Sequence, residues 1–270
     1  MNTVVITGSS RGLGYEMAKC FHDRNWNVVI NGVVPERLEK AAASLRACRG
    51  SGGVEWFLAD VSNPKDVEKL ADYAVSRFGS MDIWINNAGV NQPMKPVWEL
   101  SEKEIEAVLN IDLKGTILGS AAAIRRMEKQ PDGGYVYNME GLGSSDQFIL
   151  GFGLYGTSKR AVTYFTQALA KELQETKNPV KAGLLSPGIM ITDFTQNALG
   201  SQPIDLPEKT KAIYNILGDY PDVVARFLVD KMLTNTSSNA HIVWLTNAKA
   251  AWRFMSAPFH KRDFFSDTKN

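Results

Sequence analysis

Val4-Val5-Ile6-Thr7-Gly8-Ser9-Ser10-Arg11-Gly12-Leu13-Gly14 decides the fold: an apolar run, then TGxxxGxG, then a helical pattern. A buried strand that ends in glycines and restarts as a helix is a βα unit with a tight first turn. Gly8 permits that turn, Gly12 lets the backbone approach a ligand, and Gly14 allows close helix–sheet contact. The helix after the turn offers free N–H groups and a positive dipole end, which suit a phosphate.

Outward from this unit, strand and helix patterns alternate. Strands are expected at residues 4–7, 26–31, 54–59, 81–86, 135–139, 180–185 and 241–245, and helices at 14–25, 35–47 and 63–78. Pro64 sits in the first turn of the last of these, a favoured place for proline. Residues 101–126 read as one long helix opened by a capping box, Ser101-Glu102-Lys103-Glu104. Residues 154–176 read as a second long helix and 222–233 as a shorter one. Repeated βα units predict an α/β fold, a Rossmann-type doubly wound parallel sheet in a single domain. Residues 1–246 form the dinucleotide-binding and catalytic part. Residues 247–270 form an aromatic, basic tail, belonging to the same domain or to an oligomer interface.

The 270 residues can bury a large core, and a net charge of +1 argues against nucleic acid as a partner. No apolar run is long enough to span a bilayer. The first residues enter a strand at once, so a cytoplasmic location is expected, or a chloroplast one if a transit peptide has been removed. Cys20 and Cys48 fit no metal or disulfide pattern, and His22, His241 and His260 are too scattered for a ligand set, so no metal is expected.

Tyr155-Gly156-Thr157-Ser158-Lys159 is the second decisive stretch. Tyr155 and Lys159 lie one helical turn apart on one face. A phenol titrates near pH 10, and a neighbouring ammonium is expected to lower that value. With the glycine loop, the pair describes a nicotinamide-dependent carbonyl reductase or alcohol dehydrogenase with Tyr155 as general acid. Gly8, Ser10, Arg11, Gly12, Leu13 and Gly14 are the candidate phosphate cradle. Asn31-Gly32-Val33-Val34, after the second strand, lacks the acid that holds the ribose of NAD. With Asn31 there and Arg11 able to pair with a 2′-phosphate, NADPH is expected over NADH.

These motifs, with Asp60-Val61, Asn86-Asn87-Ala88-Gly89 and Pro187-Gly188 with Thr192, resemble the short-chain dehydrogenase/reductase family from residue 2 to about 195. The resemblance implies that Asp60 and Val61 contact the adenine. Asn87, Ala88 and Gly89 would support the sheet and the cofactor ribose, and Pro187, Gly188, Ile189 and Thr192 the nicotinamide. Lys159 would reach the nicotinamide ribose. It further implies a dimer or tetramer built on the two long helices, where Leu154, Val162, Phe165, Leu169 and Leu173 supply apolar surface. A narrower resemblance is to chlorophyll b reductases, through residues 82–89, Asn138-Met139-Glu140-Gly141-Leu142-Gly143-Ser144, 155–160, 185–188 and 242–250. It implies reduction of the C7 formyl group of chlorophyll b or chlorophyllide b to hydroxymethyl. The alternatives are another bulky aldehyde, ketone or alcohol as substrate, or a protein that binds NADP(H) without catalysis.

Two departures from the family stand out. The family's serine, about 13 residues before the tyrosine, falls on Gly141 or Leu142; Ser144 and Ser145 are the nearest hydroxyls, and Ser144 is the candidate. Asp112 stands where the family has asparagine. Its main-chain carbonyl can keep that role, and its charge can act on Lys159. Phe148, Ile149, Leu150 and Phe152 read as core or as one wall of an apolar pocket. Trp84 reads as packing and Trp98 as packing or a pigment contact. The tail, with Trp252, Phe254, Met255, Phe259, Phe264 and Phe265 among basic residues, fits an oligomer contact or a membrane surface.

Overall fold

A computed structural model describes residues 1–145, 148, 150–192 and 206–265. The strands are β1 (Thr3–Ile6), β2 (Asn27–Gly32), β3 (Val54–Leu58), β4 (Ile83–Asn86), β5 (Gly134–Met139), β6 (Val180–Ser186) and β7 (Ala240–Val243). They form one sheet in the order β3-β2-β1-β4-β5-β6-β7, every pair parallel. The helices are α1 (Gly12–His22), α2 (Pro35–Arg46), α3 (Pro64–Phe78), α4 (Glu102–Val108), α5 (Gly115–Met127), α6 (Gly153–Glu175), α7 (Glu208–Leu217), α8 (Pro221–Thr234) and α9 (Asn247–Ser256).

Both faces of the sheet are buried, which is why its strands read as continuous apolar runs. Val4, Ile6, Val28 and Ile30 pack on Met17, Phe21, Leu38, Leu45, Val224 and Leu228, from α1, α2 and α8. Val5, Val29, Trp84 and Val136 pack on Leu70, Ala74, Ala122, Met127, Ala170 and Leu173, from α3, α5 and α6. Burying one such side chain is worth about 1.5–3 kcal/mol, so these two layers dominate cohesion. The strand order reverses between β1 and β4. In such sheets ligands bind in the crevice at the carboxyl ends of the strands flanking that point.

Two expectations need correction. The long helix is interrupted: a π-helical turn, Leu109–Lys114, joins α4 to α5. A wide turn displaces side chains from the regular spiral, and here it sets Asp112 in the interior, fully buried. The same helix, residues 102–127, is long and apolar enough to cross a membrane, although no such segment is expected from the sequence; α5 packs on β4, β5 and α3. The tail opens as a helix, α9, whose N-cap Thr246 accepts a hydrogen bond from the Lys249 N–H.

Part of the surface assigned to oligomer contacts is used inside the subunit. Leu154, Val162 and Leu173 are buried, while Tyr164 on α6 and Ile117 on α5 are the exposed apolar groups. Trp84 is core, and Trp98 is exposed. Phe152 is buried, Phe148 and Leu150 are exposed, and Ile149 lies outside the described residues.

Candidate active site

The β1–α1 loop is fixed to its neighbours by short polar side chains. Gly8 and Gly12 have φ of 62° and 59°, the left-handed region that favours glycine. A Cβ on Gly14 would lie 2.8 Å from the Gly8 carbonyl, and one on Gly8 2.7 Å from the Ala88 Cα. A Cβ on Gly12 would meet nothing within 4 Å. Gly8 and Gly14 are therefore required by packing, whereas Gly12 borders open space. The Asn31 Oδ1 accepts from the Gly8 N–H (3.3 Å), and its Nδ2 donates to Phe57 and Ala59 carbonyls (3.2 and 2.9 Å). Asn31 thus pins the loop rather than presenting its amide to solvent.

Across the switch point, Asn87 donates from Nδ2 to the carbonyls of Thr7 and Gly8, and the Thr7 hydroxyl oxygen accepts from the N–H groups of Asn87 and Ala88. These bonds lock the ends of β1 and β4 together. Asp60 closes its own turn by accepting from the Ser62 N–H at 2.8 Å. The helix α1 begins without a side-chain cap and without an acid in its first turn. A glycine cradle, open space at Gly12 and a helix start free of negative side chains fit the pyrophosphate of a dinucleotide.

A cavity of about 1140 Å³ runs from this cradle to Tyr155 and on to Tyr214. Every residue singled out for the cofactor borders it: Gly8, Ser10, Arg11, Gly12, Leu13, Gly14, Asn31, Asp60, Val61, Asn87, Ala88, Gly89, Pro187, Gly188, Ile189 and Thr192. So do Tyr155, Lys159 and Ser144. Asp112 lies just behind the wall: a Cβ on Gly89 would be 3.3 Å from its Oδ1 and 3.6 Å from the Lys159 Nζ. Gly89 leaves room for that pair.

Tyr155 is 5% exposed, and its backbone N–H donates to the Gln92 Oε1 at 2.7 Å. Gln92, fully buried, also donates to the Gly151 carbonyl at 2.6 Å, tying the start of α6 to the loop before it. The Lys159 Nζ lies 5.6 Å from the Tyr155 ring centroid. It donates to the Met139 carbonyl at 3.4 Å and stands 3.8 Å from the Asp112 Oδ2. The expected lowering of the phenol pKa is not what the structure shows. Burial, then the neighbouring Asp112 carboxylate, push Tyr155 well above its ordinary value. A phenol so placed keeps its proton, as a donor to a carbonyl oxygen must.

Burial also pushes Asp112 up to about 6, against Lys159, the Val90 N–H and Ser158, which all favour its charge. The Asp112 main-chain carbonyl accepts from the Thr116 hydroxyl at 2.7 Å. A carboxyl that holds its proton more tightly when folded contributes stability in full below its unfolded value of 3.8, and that contribution is lost as pH rises through 6. Relative to Asp112→Asn, the wild type should therefore gain most below about pH 4 and lose that advantage toward about pH 7. Melting temperatures of both proteins across this range check it; parallel curves would contradict the assignment.

Ser144 is buried and borders the same cavity as Tyr155. Its Oγ accepts from the Gly141 N–H at 3.1 Å and lies 3.5 Å from the Lys159 carbonyl, so the hydroxyl closes its own loop. The backbone facing the phenol is Gly141: a Cβ there would overlap the Tyr155 hydroxyl and stand 3.0 Å from Cζ. Ser145 is exposed.

Several bordering residues escape sequence reasoning. His241 is not isolated: its Nε2 lies 2.7 Å from the Glu140 Oε2, and Glu140 also accepts from the Thr163 hydroxyl at 2.8 Å. The Glu140 bond raises the His241 pKa against its partial burial. Arg37 and Tyr214 also border the cavity. Only Arg37 has a local signal, as a cation just past the acid-free end of β2.

The fold, the glycine turn and the Tyr155–Lys159 pair define an oxidoreductase class, and the sequence profile described as short chain dehydrogenase matches residues 2–202. The chain belongs to that family. Within it, the chain is 36% identical to the protein named chlorophyll(ide) b reductase NOL, chloroplastic, of Oryza sativa subsp. japonica, over 94% of this chain and 74% of that relative. It is 31% identical to the probable chlorophyll(ide) b reductase NYC1, chloroplastic, of Arabidopsis thaliana, over 98% of this chain and 54% of the other, so it spans about half of that relative. The fold matches an alcohol dehydrogenase from the archaeon Thermococcus sibiricus, solved with 5-hydroxy-NADP. That match has a TM-score of 0.74 at 24% identity and covers 90% and 96% of the two chains.

Proposed function

We propose that this protein is an NADPH-dependent reductase of the C7 formyl group of chlorophyll b or chlorophyllide b. The single observation that carries the reading is the buried Tyr155–Lys159 pair on the wall of a cavity that also takes in the phosphate cradle. The names of the relatives supply the substrate class. The cavity, about 1140 Å³, lies at the upper end of the roughly 300–1,000 Å³ usual for one ligand, a size that suits a dinucleotide.

In this reading the glycine loop and α1 hold the pyrophosphate, and residues 187–192 hold the nicotinamide end. The nicotinamide held by these residues would supply the hydride for the carbonyl carbon. Tyr155 holds the proton that goes to the carbonyl oxygen. Lys159 steadies the phenolate left behind and binds the nicotinamide ribose. Gly141 offers no hydroxyl, so Tyr155 is the proton donor in this reading and Ser144 the nearest candidate to assist it. Product analysis after incubation with NADPH and either pigment tests the reading. Turnover of simple aldehydes without a 7-hydroxymethyl product would favour another bulky carbonyl. Tight NADPH binding with no turnover of any carbonyl would favour a binding protein.

The preference for NADPH rests on the missing acid after β2 and on Arg11 and Arg37, which border the same end of the cavity. Arg11→Ala should raise the KM for NADPH by about tenfold, the loss of a charge-assisted contact, and leave that for NADH nearly unchanged. An equal effect on both cofactors, or a lower wild-type KM for NADH, would contradict it. A homo-oligomer, dimer or tetramer, goes with this reading, and exposed Tyr164 and Ile117 on the two long helices support it; a monomer mass by light scattering would refute it. The location goes with the substrate, in a plastid or in the cytoplasm of a cell that handles chlorophyll b. Fractionation that finds the protein apart from these pigments would refute that, and flotation with vesicles would test membrane contact by the exposed aromatic residues of the tail.

A further inference from the structure

The helix α7 has no buried residue, yet Tyr214 and Leu217 on it form part of the cavity wall. Its apolar side chains Tyr214, Ile216 and Leu217 are only half-buried, with the Tyr214 ring against Phe265, so the polar end of the helix adds to a partial apolar hold. The last carbonyls of a helix carry partial negative charge and lack intrahelical partners. Here two guanidiniums from the C-terminal segment take them. Arg253 donates to the Leu217 carbonyl at 2.7 Å. Arg262 donates to the Gly218 carbonyl at 2.9 Å and to the Ile216 carbonyl.

Both arginines also meet Asp219, Arg253 at 2.8 Å and Arg262 at 3.4 Å, with side-chain exposures of 11%, 33% and 12% for Arg253, Arg262 and Asp219. Asp219 is a junction. Its Oδ2 accepts from the Trp244 indole N–H at 2.6 Å, its N–H donates to the Ile189 carbonyl, and its carbonyl accepts from the Ile191 N–H. Beyond Arg262, the Phe264 N–H donates to the Asn215 Oδ1, and the rings of Phe264 and Phe265 lie against Tyr220 and Tyr214. The Arg262 guanidinium stands 5.4 Å from the Phe264 ring. Residues 253–265 thus fasten the end of α7 to the segment, Ile189–Ile191, that borders the cofactor end of the cavity.

We propose that Arg262 and Arg253 are specificity-determining residues: by clamping the C-terminal end of α7 they fix the Tyr214–Leu217 wall and so the room left for the carbonyl substrate. This rests on the reductase reading for what fills that room, but the clamp itself does not. Of the two, Arg253 holds the Asp219 junction to residues 189–191 closely, at 2.8 Å against 3.4 Å for Arg262, so its loss should disturb cofactor and substrate together. Arg262 acts chiefly on the end of α7 and should affect substrate alone.

The test is Arg262→Met, which keeps the apolar stem, beside Arg262→Lys, which keeps one donor, and Lys261→Met as an exposed control. Amide hydrogen exchange over residues 208–217 should speed up by about tenfold or more in Arg262→Met, the effect of losing charge-assisted bonds, with residues 64–78 unchanged. Arg262→Lys should fall between. KM for chlorophyllide b should rise by a similar factor, with the dissociation constant of NADPH within about twofold of wild type. Unchanged exchange over 208–217, or equal loss of NADPH binding and pigment KM, would overturn the proposal. Should Arg262→Met fail to fold, Phe264→Ala removes the ring beside the guanidinium and should produce the same exchange signature; no change there would count against the clamp. If wild type reduces no carbonyl, the reductase reading fails while the exchange result still decides the clamp.

Discussion

Tyr155→Phe is expected to reduce turnover by about 10²–10⁴-fold, the usual worth of a positioned general acid, and to leave NADPH binding within about twofold. The phenyl ring keeps the packing of a side chain that is 5% exposed, and the backbone N–H keeps its bond to Gln92. What disappears is the phenol proton that Tyr155 holds at the cavity wall. Lys159→Ala should differ in kind, damaging rate and cofactor affinity together, because that ammonium serves both. The check is a pair of measurements on folded protein, NADPH affinity by fluorescence and kcat on the best carbonyl substrate. Retention of more than about a tenth of wild-type turnover would mean that another group supplies the proton.

Gly141→Ser is the second change with a large expected effect, and its direction is counter-intuitive. In the family a hydroxyl near this point assists the tyrosine, so the substitution looks like a repair. In this chain a Cβ at 141 would overlap the Tyr155 hydroxyl and stand 3.1 Å from the Lys159 Cγ. The phenol must move, and displacement of a catalytic group by about 1 Å costs on the order of 10²-fold in rate. Gly141→Ala should do the same, since the obstruction is the Cβ and not the hydroxyl. Ser144→Ala should cost less, because its hydroxyl bonds within its own loop. Kinetics of the three variants decide it. A Gly141→Ser protein as fast as wild type would show that the loop from 140 to 144 accommodates the family's arrangement after all.

The features legible in the sequence are local ones. The strand–glycine–helix turn is legible because Gly8 and Gly12 need positive φ and because Val4 to Ile6 are buried on both faces. Tyr155 and Lys159 are legible because helical spacing puts them on one face. The helix α9 has a signal too, Thr246 as N-cap three residues before Lys249, hidden by the aromatic character of residues 252–265.

Other features depend on how distant segments meet. Gly141 and Ser144 are three residues apart, and only the loop path says which one faces the phenol. The partnership of Glu140 with His241 spans about a hundred residues, and no local pattern joins them. The π turn that buries Asp112 leaves no mark in apolar periodicity. The direction of the Tyr155 shift is hidden for a related reason: a nearby lysine can be read from spacing, whereas full burial and a buried carboxyl behind that lysine cannot.

The most direct test of the central claim tracks the hydride. NADPH carrying deuterium at its transferable position is incubated with the protein and chlorophyllide b, and the pigment is analysed by mass spectrometry. The account predicts a 7-hydroxymethyl product with one deuterium on the former formyl carbon, formed by wild type and about a hundredfold or more slower by Tyr155→Phe. A folded, NADPH-binding protein that leaves the formyl group of both chlorophyllide b and chlorophyll b intact would contradict it.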